Sequence, residues 1–473
     1  MTRIAIVGGG PAGYEAALVA ARLGGEVTLV EPDGLGGACV LYDCVPSKTL
    51  IATSETMTSF RAAPALGVRT TGGPDGESGE FLVEAQLVNR RVKDLAAWQS
   101  EDVWQRVTDE GVRLLEGSGR FAASGPGHGH TIEVVSASGE VTGTVEADVV
   151  LLATGATPRV LPGAEPDGER ILTWRQVYDL EELPEHLVVV GSGVTGAEFA
   201  SAYLEMGVRV TLVSSRDRVL PGEDTDAAEV IEEVFAEHGG EIVKRARAAS
   251  VRRTEKGVVV TMVDGRTVEG SHALMTVGSV PNTAGLALEH AGVELDERGF
   301  VRTDRVSRTT ATGVYAAGDV TGVLMLASVA AMQGRIAMWH ALGEAVTPLR
   351  LKTVSATVFT HPEIATVGIQ ERAIAAGEVP ARTVVMPLAT NARAKMQGLA
   401  EGFVKLFCRP ATGVVIGGVV VAPSASELIL PVTMAVQNSL TVAQVASTFS
   451  VYPSLSGSLT EAARRLMIHD DLD

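Results

Sequence analysis

Apolar residues in this chain gather in short unbroken runs that end on glycines. Residues 4–7 form one such run, Gly8-Gly9-Gly10-Pro11-Ala12-Gly13 follows, and the alanine-rich stretch 16–22 reads as a helix. A second apolar run occupies 27–30. Strand, glycine turn, helix and strand in that order make a βαβ unit, whose parallel strands are buried on both faces and so are continuously apolar. The pattern returns at 187–190, Gly191-Ser192-Gly193-Val194-Thr195-Gly196, 197–206 and 208–213, about 183 residues later. Two copies at that spacing are a duplication at the scale of domains rather than a solenoid repeat.

Elsewhere the texture differs. Residues 82–112 are polar, with Val88, Val92, Leu95 and Ala96 at helical spacing, which predicts a long amphipathic helix. Segments 62–80 and 123–132, rich in Gly, Pro, Ser and Thr, predict exposed loops. From about Thr353, β-branched runs at 354–359, 403–407 and 414–421 predict strands, and 426–437 and 456–467 predict helices. The expected fold class is therefore α/β, with two doubly wound Rossmann-type dinucleotide-binding domains and a C-terminal α+β domain. A length of 473 residues suits two to four domains.

Composition narrows the partners. A formal charge of −18 argues against nucleic acid and anionic membrane surfaces, which require a basic face. No apolar run approaches the roughly 20 residues of a membrane span; even 414–421 is interrupted by Gly417 and Gly418. The opening MTRIAIVGGG reads as a strand entering a turn, not as a signal peptide. Three cysteines, Cys39, Cys44 and Cys408, cannot staple a secreted scaffold of this size, so a reducing cytoplasm is expected. Cys408 lies in an apolar run and reads as a buried, inert thiol. Lysine is scarce, seven against thirty-two arginines, so Lys48 stands out.

Gly8, Gly10 and Gly13 form a G-x-G-x-x-G turn between strand and helix, where glycines allow close approach and the helix N-terminus holds a pyrophosphate. Glu31 follows Gly13 by eighteen residues, at the end of the second strand, placed to accept hydrogen bonds from an adenosine ribose. In the second fingerprint, Gly191, Gly193 and Gly196, the same count reaches Ser214, with Arg216 and Arg218 just beyond. A carboxylate there would repel a 2′-phosphate, whereas serine and arginine bind one. This site is expected to take NADPH at least as well as NADH; the alternative is that both arginines are solvated surface charges.

The most informative stretch is Gly36-Gly37-Ala38-Cys39-Val40-Leu41-Tyr42-Asp43-Cys44-Val45-Pro46-Ser47-Lys48. Five residues along a regular helix rise about 7.5 Å, beyond the ~7 Å limit for the Cα atoms of a disulfide. A bridge would need a distorted turn, which Gly36 and Gly37 permit. In a cytosolic protein such a bridge is redox-active, and a helix N-terminus with Lys48 nearby favours a thiolate.

The phrase G-G-x-C-x4-C-x-P-S-K, the two glycine fingerprints and Thr154-Gly155 in LLATGATP resemble the flavoprotein disulfide reductases, the family of dihydrolipoyl dehydrogenase, glutathione reductase and mercuric reductase. Gly313-Val314-Tyr315-Ala316-Ala317-Gly318-Asp319 is similar to its second flavin motif, Gly278-Ser279-Val280-Pro281-Asn282 to its strand near the nicotinamide, and Phe359-Thr360-His361-Pro362-Glu363-Ile364 to the opening of its dimerisation domain. The likeness runs from residue 1 to about 468. It implies an FAD-binding domain of 1–155 and 277–347, an NAD(P)H-binding domain of 156–276, a dimerisation domain of 348–473 and a homodimer. It further implies Cys44 as the thiol next to the flavin in a Cys39–Cys44 redox disulfide, Cys39 as the exchanging thiol, Lys48 near flavin N5 and Glu198 as its partner. Gly119, Thr154, Gly155, Gly278, Gly318, Asp319 and Ala327 join the implied cofactor contacts.

One departure decides the expected activity. The family's base for thiol–disulfide exchange is a His-Glu dyad in H-P-T-L-S-E; here the phrase is Tyr452-Pro453-Ser454-Leu455-Ser456-Gly457. An unperturbed tyrosine is only about 0.1% ionised at neutral pH. Among the nine histidines, His361, His340 and His469 read as structural or surface residues, not as relocated bases. Ser328 and Gln333 stand where lipoamide enzymes commonly carry His and Glu, and no C-terminal cysteine pair points to mercuric ion. LTWRQVYDL, RVSRTTATGVYAAGD and VYPSLSGSLTEAARRLM resemble a lipoamide-dehydrogenase-like branch whose members act as NAD(P)H:quinone reductases. The resemblance therefore implies transfer from NADPH or NADH through FAD to a quinone, with Tyr452 lining the acceptor pocket from the neighbouring subunit. A dihydrolipoyl dehydrogenase or other disulfide reductase, and a flavin-binding sensor, are the alternatives.

Overall fold

A computed structural model describes residues 1–68, 81–123 and 129–467; most of the predicted loop at 62–80, part of that at 123–132, and His469 lie outside them. The chain divides into two compact units, Met1–Thr49 with Asn89–Arg159 and Gly278–Arg350, and Leu50–Val88 with Val160–Val277 and Leu351–Asp473.

The first unit is built on a five-stranded parallel sheet in the order Val314–Ala316, Val149–Leu152, Arg3–Val7, Glu26–Glu31, Arg113–Glu116. The Pro11–Arg22 and Ala327–Ala341 helices cover one face, burying Ile4, Ile6, Leu29 and Leu151. A three-stranded antiparallel meander, Ser118–Phe121, His130–Val135 and Val141–Ala147, covers the other with Phe121, Ile132 and Val134. Coverage on both faces explains the continuous apolar strands read in the sequence. The amphipathic helix predicted over 82–112 is Ala85–Asp109, which lends Val103 and Val107 to the core. Part of the segment read as a loop at 123–132 is instead the start of the His130–Val135 strand, whose alternating Ile132 and Val134 are buried.

The second unit repeats this plan. Its parallel sheet runs Glu241–Val243, Arg209–Val213, His186–Val190, His272–Met275, Ile171–Thr173, and a meander of Ala248–Arg253, Val258–Met262 and Thr267–Gly270 again follows. The unit also contains a five-stranded antiparallel sheet: Ser355–Val358, Glu363–Gly368, Val415–Ala422, Phe403–Cys408, Arg382–Pro387. Two of these strands escaped the sequence reading. Arg382–Pro387 is an edge strand that ends on proline, and Glu363–Gly368 is a short run between Pro362 and a glycine, so both lack a long β-branched signal.

Lys405 in that sheet is 1% exposed and carries its ammonium 2.8 Å from both Asp224 oxygens, 2.7 Å from Asp226 and 3.0 Å from Glu371. Burial opposes its charge, but the three carboxylates outweigh burial and raise its pKa. Removing one partner of such a buried pair costs about 3–5 kcal/mol, because the other charge is left uncompensated. Cys408, three residues on, is fully buried among Val404, Leu406 and Val415, and burial pushes its thiol up.

Candidate active site

Gly36 and Gly37 adopt φ of 95° and 55°, in the left-handed region that favours glycine. They launch the five-residue helix Gly37–Leu41, which carries Cys39 and stops at Tyr42; Cys44 then opens a new helix, Cys44–Ala62. The pair therefore spans a break between helices, and the rise of a single regular helix does not separate it. Both residues are free cysteines here, half-buried and joined by a side-chain hydrogen bond. That bond favours a thiolate on Cys39, while burial, Asp43 and Asp319 oppose it and Lys48 assists. The same bond and burial drive Cys44 far up, so the reduced pair carries at most one negative charge.

At the first fingerprint, a Cβ on Gly13 would stand 1.8 Å from the Gly8 carbonyl oxygen, so the first helical turn packs onto the strand end only without a side chain. The Pro11–Arg22 helix has no side-chain cap and no acid in its first turn, and Gly10 faces open space. An uncapped helix N-terminus of this kind fits a pyrophosphate. The Glu31 carboxylate accepts from Gly9 N at 2.5 Å and Asp33 N at 3.0 Å, and burial raises its pKa. Thr154 and Asn282 exchange hydrogen bonds: Thr154 Oγ1 donates to the Asn282 carbonyl at 2.7 Å, and Asn282 Nδ2 to that of Thr154 at 2.8 Å. The Asn282 N–H donates to the Gly155 carbonyl at 3.0 Å. Gly278 accepts from Arg159 N at 2.9 Å, where strands Ala156–Pro158 and Ser279–Pro281 pair antiparallel. Gly119 lies in the meander, where a Cβ would meet Val7 at 2.9 Å.

The sequence reading missed what Gln333 does. It is buried, its Oε1 accepts from Gly318 N at 2.9 Å, and its Nε2 donates to Thr321 Oγ1 at 3.4 Å. This clasp fixes the turn that carries Asp319, whose carboxyl is pushed up to about 6 by burial and by Asp43. Ala327 opens the helix on which Gln333 sits two turns later. The only signal in the sequence was the departure from the family's glutamate.

The second fingerprint has the same backbone. A Cβ on Gly196 would stand 1.9 Å from the Gly191 carbonyl, and the Val194–Glu205 helix is likewise uncapped and acid-free in its first turn, with Gly193 facing open space. Ser214 is fully buried and hydrogen-bonded to Ser192 Oγ at 2.7 Å and Arg216 N at 3.1 Å, so its hydroxyl organises the loop. Arg218 is tied to Thr225 Oγ1 at 2.7 Å, whereas Ser215 and Arg216 are exposed. Glu198 falls in the second turn of its helix; it is buried and accepts from Phe359 N at 2.9 Å.

Tyr452 is 85% exposed, beside Phe449 and Val451, which are also exposed. His340 bonds the Tyr315 hydroxyl at 2.9 Å, and His361 stacks on His238, which bonds the buried Glu205 carboxylate at 2.5 Å. Burial lowers the pKa of His361.

Residues 2–334 match the pyridine nucleotide-disulphide oxidoreductase model, and 354–463 match the dimerisation domain of the same family. The chain is 62% identical over 477 residues to NAD(P)H dehydrogenase (quinone) of Mycobacterium tuberculosis, covering all of this chain and 95% of that one. It is 34% identical to a dihydrolipoyl dehydrogenase of Chlorobaculum tepidum, over 97% and 96% of the two chains. Among solved structures, LpdA from Mycobacterium tuberculosis superposes with a TM-score of 0.93 at 61% identity, over 99% and 100% of the chains. The HOCl-induced flavoprotein disulfide reductase RclA from Escherichia coli superposes at 0.84 and 25% identity, over 98% and 99%. Members of this family use FAD and NAD(P)H, and the two uncapped glycine turns fit them. The chain belongs to the pyridine nucleotide-disulphide oxidoreductase family, with two Rossmann-like domains and a C-terminal dimerisation domain.

Proposed function

We propose that the protein is an NAD(P)H:quinone oxidoreductase. The observation that carries this reading is Tyr452 and Gly457 in place of the family's base dyad, in a chain 62% identical to a relative named NAD(P)H dehydrogenase (quinone). Bound FAD supplies the two-electron chemistry that links nicotinamide to quinone. The chain's own groups bind and orient. The N–H groups opening the Pro11–Arg22 helix receive the FAD pyrophosphate, with Glu31 on the ribose side through the loop it pins. Thr154, Gly155, Gly119, Gly278, Gly318, Asp319 and Ala327 would complete the flavin cradle, and Lys48 would supply a cation beside the flavin ring. Glu198 remains a site residue.

Gly191, Gly193 and Gly196 receive the nicotinamide coenzyme's pyrophosphate, Arg216 its 2′-phosphate, and Ser214 and Arg218 hold the Arg216 loop in shape. A quinone needs no thiolate and no thiol base, so the missing dyad does not hinder it. The dimerisation domain supports a homodimer, in which Tyr452 of each copy lines the other's acceptor pocket. No helix among the described residues is long and apolar enough to cross a membrane, and the sparse cysteines favour the cytoplasm.

The test is NADPH oxidation with a quinone and with lipoamide, in wild-type protein and Cys39→Ala. Quinone turnover that survives in Cys39→Ala, with little lipoamide turnover, is expected. The intact Cys39 and Cys44 pair favours the disulfide-reductase alternative. Lipoamide turnover equal to that with quinone, and abolished by Cys39→Ala, would replace the quinone reading with that one.

A further inference from the structure

Lys405 is the one charged residue in the strand Phe403–Cys408, all six residues of which are buried. An apolar side chain would pack there at less desolvation cost, so the sheet alone does not account for the ammonium. Its three carboxylate partners frame the start of the helix Thr225–Glu237. Asp224 is the N-cap of that helix and accepts from Ala227 N at 3.2 Å, and Asp226 lies in its first turn. Glu371, which opens the short helix Glu371–Ala375, turns Oε1 to Lys405 and accepts from Thr225 N at 3.0 Å through Oε2. The same helix holds the loop assigned to the coenzyme. Arg218 Nη1 donates to Thr225 Oγ1 at 2.7 Å, and Nη2 to the Glu223 carbonyl at 3.3 Å. Val219 N donates to Glu232 Oε1 at 2.7 Å, and Leu220 N to the Ser192 carbonyl at 2.8 Å, inside the second glycine turn. A continuous run of bonds therefore leads from Lys405 through Glu371 and Thr225 to Arg218, two residues from the exposed Arg216. Every link lies within one compact unit.

We propose that Lys405 is a positioning residue for coenzyme choice: by pinning the start of the Thr225–Glu237 helix it fixes Arg218, and through Arg218 it sets Arg216 where a 2′-phosphate is received. This rests on the reading of that loop as the NADPH site and deepens it. An arginine on a free loop is ordered anew each time it binds, and that ordering subtracts from affinity. A loop tied through Arg218 to a buried ion cluster is ordered on folding instead. Without the ammonium, Asp224, Asp226 and Glu371 face one another as like charges, and the helix start they frame loosens. The loss falls on a ligand that carries the 2′-phosphate. The pyrophosphate cradle is spared, because Gly191, Gly193 and Gly196 shape it in the backbone of the preceding turn.

The experiment titrates two probes that differ only in the 2′-phosphate, adenosine 2′,5′-bisphosphate and 5′-AMP, into the FAD-loaded enzyme by calorimetry. The proteins are wild type, Lys405→Met and Glu371→Ala, and each of these substitutions combined with Arg216→Ala. Lys405→Met is expected to weaken the bisphosphate about fivefold and Glu371→Ala about threefold, with 5′-AMP within about twofold in both. In the Arg216→Ala background neither substitution should weaken it further, because the effect passes through that residue. Glu371→Ala leaves Lys405 with two carboxylates, so it decides the matter where Lys405→Met does not fold. Equal weakening of both probes, no weakening, or full additivity with Arg216→Ala overturns the proposal. Wild-type protein that binds both probes alike overturns the NADPH reading and the proposal with it. Wild-type protein that prefers the bisphosphate yet fails to reduce quinones overturns only the functional reading, and the titrations still judge Lys405.

Discussion

The two glycine fingerprints have nearly the same backbone and differ at the end of the strand that follows. In both, the third glycine leaves less than 2 Å between a hypothetical Cβ and the first glycine's carbonyl, and both helices begin uncapped. At the first, Glu31 reaches back to the Gly9 N–H; at the second, the shorter Ser214 reaches only Ser192 and its own loop. The difference teaches that the glycine turn and the strand end beside it are built independently. The glycines shape the same turn in both units, while a carboxylate organises the neighbouring backbone in one and a hydroxyl in the other. Ser214 braces its own loop, and Arg216 beside it is exposed.

The comparison breaks most visibly at the glycines. Gly13→Ala and Gly196→Ala each force a methyl into a backbone oxygen, at a cost of about 2 kcal/mol, roughly thirtyfold in binding. Gly13→Ala is expected to purify with little flavin absorbance. Gly196→Ala should keep its flavin and lose NADPH affinity, so equal loss of both ligands in both variants would refute the independence of the two cradles.

A smaller effect belongs to Arg216→Ala, expected to raise KM for NADPH about tenfold and leave KM for NADH within twofold. Parallel steady-state titrations with the two coenzymes check it, and equal changes in both would return Arg216 to the solvated surface.

Next comes a pH dependence in the first unit. The Asp319 carboxyl titrates at about 6, above its ordinary 3.8, because burial and Asp43 disfavour its charged form. A raised carboxyl stabilises the fold below its ordinary pKa, and that stability is lost as pH rises through about 6. Asp319→Asn is therefore expected to melt higher than wild type at pH 7.5 as the flavin-free protein. The gap should close as pH falls toward 4; a gap independent of pH would contradict this.

The smallest effect is Ser214→Ala, which removes a buried hydroxyl pair and costs about 1–2 kcal/mol by urea unfolding. KM for NADPH should change less than in Arg216→Ala. A larger change would restore Ser214 as a direct ligand.

Much of this was legible in the sequence because it depends on local pattern. Residues 4–7 and 187–190 had to be buried parallel strands, since each runs unbroken into a glycine turn followed by a helix. The 25-residue helix Ala85–Asp109 followed from its 3.6-residue spacing, within a few residues of the predicted span. The strand Arg382–Pro387 did not show, because an edge strand with alternate residues exposed and a terminal proline carries too weak a local signal.

By itself the sequence determined the duplicated nucleotide-binding plan, the spacing of the cysteine pair and Lys48, and the absence of the His-Glu dyad, since each is a matter of residue type at a fixed spacing. Only the tertiary structure decided which polar side chains are buried and brace a loop and which stay exposed. Ser214 and Gln333 look equally polar along the chain, yet one is spent on Ser192 and Arg216 and the other clasps Gly318. Burial makes that difference: a hydroxyl or amide cut off from water must find its partners within the protein, and Ser192 and Gly318 lie outside the local run.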